Sequence, residues 1–489
     1  METLERAGAT AITRTEMSRP VRLALELGII ATGETVLDYG CGHGEDLRAL
    51  ADNGVQATGW DPVHRPDGEL RDADVVNLGY VLNVIEDPAE RVDAARRAWG
   101  YANKALVVAV RTSNEAAALA SAIPHGDGCL TGRGTFQKLY RQSEAGEWLN
   151  GALNTSAIPL SIGVFVAFKD EKAEQEWLDA RQRERRRILR LRRPATPKKT
   201  KRDLAYEQHA RLLAPLEEFL ADRGRLPVEG EAEWVAPILD TFGTLPKAFQ
   251  VIRHVADECF WDHGAAARRE ELRLRFALAR LRKRPKFNDL PVGVQRDVKA
   301  LFGSYRAACE QADDLLFSAG NLEALKAAAA AAPVGKRTPE ALYVHAECAD
   351  LLPSTLQVYL GCAAAVVGSV EGANVLKLHL EKPRVSYLVY PEFDSDPHPA
   401  LAESWVVDLR GLDVSARDFR QRENPPILHR KELFVGDDYP LREKFARLTA
   451  QEERHGLFKD TADIGTRRGW ERRLTDHGWV LRGYRLVRR

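Results

Sequence analysis

The sequence predicts a chain in three structural parts: an N-terminal doubly wound α/β domain, a mainly helical middle region and a mixed α+β C-terminal domain. Three observations carry this. Up to about residue 170 short apolar runs alternate with helical patterns, which implies parallel strands with helices on both faces. From about 203 to 333 apolar residues recur at helical spacing. Beyond 334 strand-like alternation returns. The expected boundaries are 1–170, a basic helix and linker over 171–202, 203–333 and 334–489.

Each element has its own signal. Val36–Tyr39, Ala57–Trp60, Asp74–Asn77 and Ala105–Val110 have the composition of buried strands, with helices expected at Glu45–Asp52 and Pro88–Tyr101. Asp74 follows Asp61 closely in the chain. A crossover alone takes roughly a dozen residues or more, and a strand adds to that, so the third strand of a regular doubly wound sheet should be absent or vestigial. Glu171–Arg193 is a helical, increasingly basic run that Pro194 and Pro197 stop. Leu272, Phe276, Ala279 and Leu281 mark a helix in the middle region, and the alanine run before Pro333 ends another. Val375–Leu380 and Val385–Tyr390 alternate as strands do. No repeat at the periods of a solenoid is evident, which argues against that architecture.

Composition narrows the function classes. The 489 residues include 71 basic and 71 acidic side chains, so no global attraction to nucleic acid exists. The balance is uneven along the chain: residues 1–170 hold 16 Lys/Arg against 23 Asp/Glu, a net of −7, and the remainder carries +7. Arg181–Arg202 holds 12 basic residues with Glu184 as the single acid, a pattern of either a solvated helix or a polyanion contact. The six cysteines form no C-x-x-C pair, which disfavours zinc and disulfides and fits a reducing cytoplasm. No apolar run reaches membrane-spanning length and the N-terminus lacks a signal-peptide core, so a cytoplasmic chain without membrane contact is expected.

The most informative segment runs from Val36 to Leu47, where a buried strand enters Gly40-Cys41-Gly42-His43-Gly44 and a helix opens at Glu45. Glycines let the backbone turn tightly and approach a bound nucleotide. Asp61 ends the second strand. Its distance from the glycine loop is close to the spacing at which an acid can accept hydrogen bonds from both ribose hydroxyls. The glycine spacing is G-x-G-x-G, and Glu45-Asp46 at the helix start would repel a pyrophosphate. A nucleotide with a cationic amino-acid end and no phosphate fits better. The arrangement resembles the first motif of Rossmann-like class I methyltransferases that use S-adenosylmethionine (SAM). That resemblance implies SAM as cofactor, held by Asp38, Gly40, Gly42, Gly44 and Asp61, with Asn77 and Gly79 at the exit of the next strand. The acid that often reads the adenine amine has no clear counterpart; Asp72 is the nearest candidate.

A second resemblance covers both halves. Met17–Ala24, Gly59–Pro66, Val75–Asp87, Leu130–Lys138 and Asn424–Glu432 are similar to methyltransferases associated with DNA phosphorothioation systems. It implies methyl transfer to DNA or to a component of such a modification and restriction system. DNA, through the basic region after Glu171, and other DNA-modification proteins are the implied partners. Two alternatives stand beside it: a SAM-dependent enzyme on a small molecule, with or without methyl transfer, and a SAM-binding interaction protein.

Candidate catalytic residues follow the fifth strand of the expected fold. Asp127 is the candidate base, while Thr135, Gln137 and Lys138 are candidates to position the acceptor. His43 is a further candidate to face the site. Asn424-Pro425-Pro426-Ile427 resembles the Asn-Pro-Pro-aromatic grip of DNA amino-methyltransferases, but Ile427 replaces the ring and no apolar strand precedes it. A proline turn supporting His429, Arg430 and Lys431 is the better reading. Asp394, Asp396 and His398 lack a second histidine at metal-ligand spacing, so a polar loop and no metal are expected. The basic stretches Arg268–Lys286 and Arg467–Arg489, the latter with Trp470, Trp479 and Tyr484, can contact nucleic acid or simply be charged helix faces.

Overall fold

A computed structural model describes residues 16–119, 121–184, 201–255 and 260–489. The chain divides into two compact units, one built from the chain up to Trp177 together with Ser318–Arg489, the other from Leu178–Phe317.

The first unit opens with helix α1 (Arg19–Glu26). Strands β1 (Thr35–Tyr39), β2 (Gln56–Trp60), β3 (Ala73–Gly79) and β4 (Ala102–Ala109) follow, with helix α2 (Glu45–Asp52) between β1 and β2 and helix α3 (Pro88–Tyr101) between β3 and β4. A small antiparallel sheet of β5 (Ile123–His125), β6 (Gly128–Leu130) and β7 (Phe136–Gln137) precedes helix α4 (Gln142–Leu153), and β8 (Ile158–Ser161) and β9 (Val164–Phe168) complete the element order. The main sheet runs β2-β1-β3-β4-β9-β8, parallel through β4 and antiparallel at β9 and β8. Successive strand residues point to opposite faces. Leu37, Val76, Leu78, Leu106 and Val108 therefore pack with Ala95 and Ala98 of α3 and Leu149 of α4. Val36, Val75, Ala105 and Val107 pack instead with Val21 and Ala24 of α1 and Leu50 of α2. Strands buried on both faces explain the near-continuous apolar runs.

No strand or helix lies between Trp60 and Ala73, as the short stretch from Asp61 to Asp74 predicts. The connection is a tight turn in which Asp61 and Arg65 bond each other's backbone, and Gly68 packs so closely that a Cβ would lie 2.3 Å from the Gly59 carbonyl oxygen.

The C-terminal part of this unit is a six-stranded antiparallel meander: β10 (Lys336–Arg337), β11 (Ala341–His345), β12 (Val375–His379), β13 (Arg384–Val389), β14 (Glu403–Asp408) and β15 (Asp413–Asp418). It is joined to the first sheet at the β8 edge. Ser369 N donates to Leu160 O at 2.9 Å, Ser161 Oγ to Ser369 O at 2.7 Å and Gln142 Nε2 to Val366 O at 3.1 Å. Gly368, at φ +66°, lies so near the strand that a Cβ would sit 2.4 Å from the Leu160 carbonyl carbon.

The second unit is helical. Leu213, Leu216, Leu220, Ile238 and Ile252 form one core, while Leu272 and Phe276 are also buried. Leu281, expected on the same stripe, is 44% exposed because the helix ends at Ala279. Asp297 is fully buried and accepts from Arg223, Arg225 and Arg268. Most of the Arg181–Arg202 run lies outside the described residues.

Candidate active site

A cleft of about 1160 Å³ opens beside the C-terminal ends of β1–β4, the edge at which open α/β sheets bind ligands. Asp38, Gly40, Gly42, Asp61, Asn77 and Gly79 all line it. The loop after β1 is held against β2 by hydrogen bonds from Gly40 N and Cys41 N to Trp60 O, at 2.7 and 3.1 Å. Gly40 sits at φ +86°, and a Cβ there would lie 2.3 Å from Val81 Cγ2, so only glycine allows this turn. Gly44 is buried and does not line the cleft; its left-handed backbone turns the chain into α2.

Asp61 organises the loops. Its carboxylate accepts from Gly42 N at 3.2 Å, Val63 N at 2.9 Å and His64 N at 2.8 Å. Oδ1 takes the Val63 and His64 bonds and Oδ2 takes the Gly42 bond alone, so Oδ2 keeps capacity for a ligand's hydroxyl, since an ionised carboxylate offers about four acceptor sites, two on each oxygen. Deeper in, Asn77 Nδ2 donates to Asp38 Oδ1 at 2.8 Å, and both residues are 3% exposed. Asn77 Oδ1 is buried without a hydrogen-bond partner. An orphaned acceptor beside a buried carboxylate suits a cationic ligand group, so these residues fit the amino-acid end of SAM. Asp46 Oδ1, also lining the cleft, accepts from Ser18 N at 2.7 Å and ties the segment before α1 to the start of α2. Burial, reinforced by the charges of Asp38 and Asp61, pushes the Cys41 thiol up to about 12, so it stays protonated. His43 and His64 both line the cleft, their ring centroids 4.2 Å apart and their planes tilted by 49°. Asp72 is exposed, away from the cleft.

The acceptor side differs from the expectation. Asp127, Thr135 and Lys138 do not line the cleft. Arg91 grips Asp127 through two bonds of 2.8 and 2.6 Å, and Lys138 Nζ lies 3.2 Å from the same carboxylate. The Arg91 hydrogen bond, followed by that of Lys138, holds the Asp127 carboxyl at about 2, which makes it a poor base near neutral pH. Thr135 Oγ1 is bonded to Thr131 Oγ1 at 2.7 Å, and Lys138 also pairs with Glu144 at 2.9 Å. The residue of this stretch that does reach the cleft is Gln137, 6% exposed, with Oε1 unpartnered. The buried Asn83 clamps its surroundings, accepting from Arg111 N at 2.9 Å and donating to Lys138 O.

Sequence reasoning did not find Tyr80, Arg111, Thr112, Glu115 or Trp405, all of which line the cleft. Tyr80 has a left-handed φ of 63° at the β3 exit, with its N–H bonded to Ala109 O. Trp405 comes from β14 of the C-terminal sheet, and no sequence signal links it to the glycine loop. Eight acids line the cleft (Glu16, Asp38, Glu45, Asp46, Asp61, Glu90, Asp93 and Glu115) against Arg19, Arg97 and Arg111. Each arginine has an acceptor: Ser161 Oγ and Ile162 O for Arg19, the Tyr39 hydroxyl for Arg97 and Glu115 for Arg111.

The other singled-out motifs are structural. Asn424 Oδ1 accepts from Arg468 N at 2.9 Å, and Ile427 is buried with Trp470 and Leu474. His398 turns inward to Glu452, Nε2 to Oε1 2.7 Å, while Asp394 accepts from the Tyr439 hydroxyl, so the three candidate ligands do not converge. Among the described residues no cluster could hold a metal ion.

Residues 11–151 match the family described as a methyltransferase domain. That stretch contains the glycine loop, Asp61 and the strands beneath the cleft, and fold and site together define a SAM-dependent methyltransferase domain. Solved structures to which the chain is similar include the following three methyltransferases. A 1,6-didemethyltoxoflavin-N1-methyltransferase from Burkholderia thailandensis is 16% identical, over 34% of this chain and 78% of that one, with a TM-score of 0.24. A sugar N-methyltransferase from Streptoalloteichus sp ATCC 53650 is 18% identical over 30% and 84%, at 0.23. The magnesium protoporphyrin IX methyltransferase of Synechocystis PCC 6803 is 10% identical over 35% and 94%, at 0.22. No curated protein matches the chain. Among the described residues no helix is long and apolar enough to cross a membrane.

Proposed function

We propose that this chain methylates a small, neutral or cationic acceptor at the cleft beside β1–β4, with SAM held by Asp38, Gly40, Gly42, Asp61, Asn77 and Gly79. The observation that carries this is the charge of the lining, eight acids against three arginines that are already engaged. Such a lining suits a sulfonium cofactor and repels a phosphate backbone. When bound, SAM supplies a methyl group that passes to a lone pair of the acceptor, the sulfur keeping the broken bond's electrons and the acceptor's proton leaving to water. The chain's own residues bind and orient: Asp61 for the ribose, Asn77 and Asp38 for the amino-acid end, and Gln137 for the acceptor.

The second reading is an acceptor in a DNA phosphorothioation-type system, either DNA itself or a protein component. Its support is the resemblance of Leu130–Lys138 and Asn424–Glu432 together with the basic run Arg181–Arg202. The acidic cleft disfavours duplex DNA at the methyl site, which leaves any polyanion contact to the region after Glu171. Methyl-tritiated SAM, incubated with the protein and with DNA, RNA or small-molecule extracts at several salt concentrations, separates the readings. Label in the small-molecule fraction supports the first; salt-sensitive label in DNA overturns it in favour of the second.

A further inference from the structure

We propose that the acceptor is a planar N–H-bearing heteroaromatic compound, stacked on Trp405 of the C-terminal sheet with its N–H donated to Gln137 Oε1; this rests on the methyltransferase reading above. Trp405 is half-buried and lines the cleft. Its own ring N–H is already committed to Glu403 Oε2 at 2.9 Å, which fixes the indole and leaves its apolar ring as what it offers a ligand. Among the described residues no other aromatic ring or cation stacks on it. β14 holds it rigidly, since Trp405 is paired with Tyr387 on one side and Ala416 on the other.

Gln137 supplies the complementary polar group. Its side chain is more than nine-tenths buried, faces the cleft and leaves Oε1 without a donor. An unpaired buried acceptor is costly, so a ligand that donates to it gains more than one that cannot. The backbone on both sides is pinned: Cys129 Sγ bonds Gln137 O, and Lys138 N donates to Asn83 O at 2.8 Å. A flat aromatic wall and one directed acceptor, within an acidic lining, select a planar neutral or cationic ring with an N–H and disfavour anionic or saturated acceptors. The C-terminal sheet thereby completes the acceptor site.

The test uses the full chain saturated with S-adenosylhomocysteine, with benzimidazole as probe and 1-methylbenzimidazole as the planar control lacking the N–H. Affinities are read by ligand-observed NMR and calorimetry. Benzimidazole should bind about tenfold more tightly than its methylated control, in the presence of the nucleoside. Trp405→Leu, which keeps apolar bulk, should weaken both probes about tenfold, in the range expected for removing one stacked ring. Gln137→Met should erase the difference between the probes and leave the stacking. Both variants should bind S-adenosylhomocysteine as the parent does. Absence of benzimidazole binding, unchanged probe affinities in Trp405→Leu and Gln137→Met, or displacement of the probe by the nucleoside would overturn the proposal. Failure of the nucleoside itself to bind would instead defeat the methyltransferase reading.

Discussion

Asp61 is the residue whose removal tests the site most directly. Its carboxylate holds three backbone N–H groups, from Gly42, Val63 and His64, at 2.8–3.2 Å. Asp61→Ala has two consequences. It removes the charged acceptor for the ribose hydroxyls, worth about 1.5–3 kcal/mol for a hydrogen bond to an ionised group. It also frees the loop over 61–65 from the glycine loop, although those N–H groups border an open cleft and water takes over part of the loss. At about 1.4 kcal/mol per tenfold, SAM and S-adenosylhomocysteine should bind roughly 10- to 150-fold more weakly. Asp61→Asn keeps one oxygen and the shape, and should fall between parent and alanine variant. Calorimetry with both nucleosides, on variants whose circular dichroism matches the parent, gives the answer. An affinity for SAM within twofold of the parent in Asp61→Ala refutes the assignment, as does a parent chain that binds NADH and not SAM.

Three further perturbations probe the framework. Gly368→Ala drives a Cβ to 2.4 Å from the Leu160 backbone at φ +66°, so thermal unfolding should show a loss of at least about 1–3 kcal/mol, whereas an unchanged midpoint would mean the β8 junction is not tightly packed. Asp127→Asn should leave SAM affinity unchanged, because the residue lies outside the cleft. It should lower stability by about 1–2 kcal/mol by leaving the buried Arg91 guanidinium short of its charged partner, the solvent that reaches Asp127 screening the rest. The parent's stability from Asp127 is present above its ordinary value of 3.8 and lost as pH falls through about 2, and a variant with the parent's acid-unfolding curve would contradict this. Burial raises the Glu452 carboxyl from 4.5 to about 8, so the neutral acid donates to His398 Nε2. Its contribution is full below pH 4.5 and lost as pH rises through about 8. Glu452→Gln, which keeps a donor, should match the parent near pH 5 and unfold at higher temperature than the parent near pH 8.5; parallel profiles would argue against a neutral Glu452.

What was legible in the sequence was what is encoded locally. The β1 strand, the glycine turn and Asp61 follow one another within the single stretch from Thr35 to Asp61, and each acts through backbone conformation or its immediate neighbours, so spacing sufficed. The missing third strand was legible for the same reason, as the chain between Asp61 and Asp74 is too short for a strand and a crossover. The acceptor side was not, because its chemistry is decided by remote partners. Asp127 in a glycine-rich stretch has the composition of a base, yet Arg91, 36 positions earlier, has already neutralised that role. Gln137, between Phe136 and Lys138, differs from the other candidates Thr135 and Lys138 in facing the cleft with an unpaired oxygen, a property of three-dimensional packing alone. Charge runs mislead in the same way. Arg268 begins what reads as a solvated basic stretch, yet it is 1% exposed and bound to Asp297 and Glu271, while Arg275 and Arg284 pair with Asp179 and Asp313. A basic run is evidence for a polyanion surface only after the carboxylates that pair with it are subtracted. After that subtraction Arg268–Lys286 loses much of its claim to a polyanion surface, and DNA contact comes to rest on Arg181–Arg202 and the C-terminal Arg467–Arg489. Reversing charges between Arg185 and Arg193, outside the described residues, should therefore flatten the salt dependence of DNA binding by about 0.9 in log–log slope for each phosphate no longer neutralised. A gel-shift titration in which the reversed chain keeps the parent's slope would remove Arg181–Arg202 as the DNA contact.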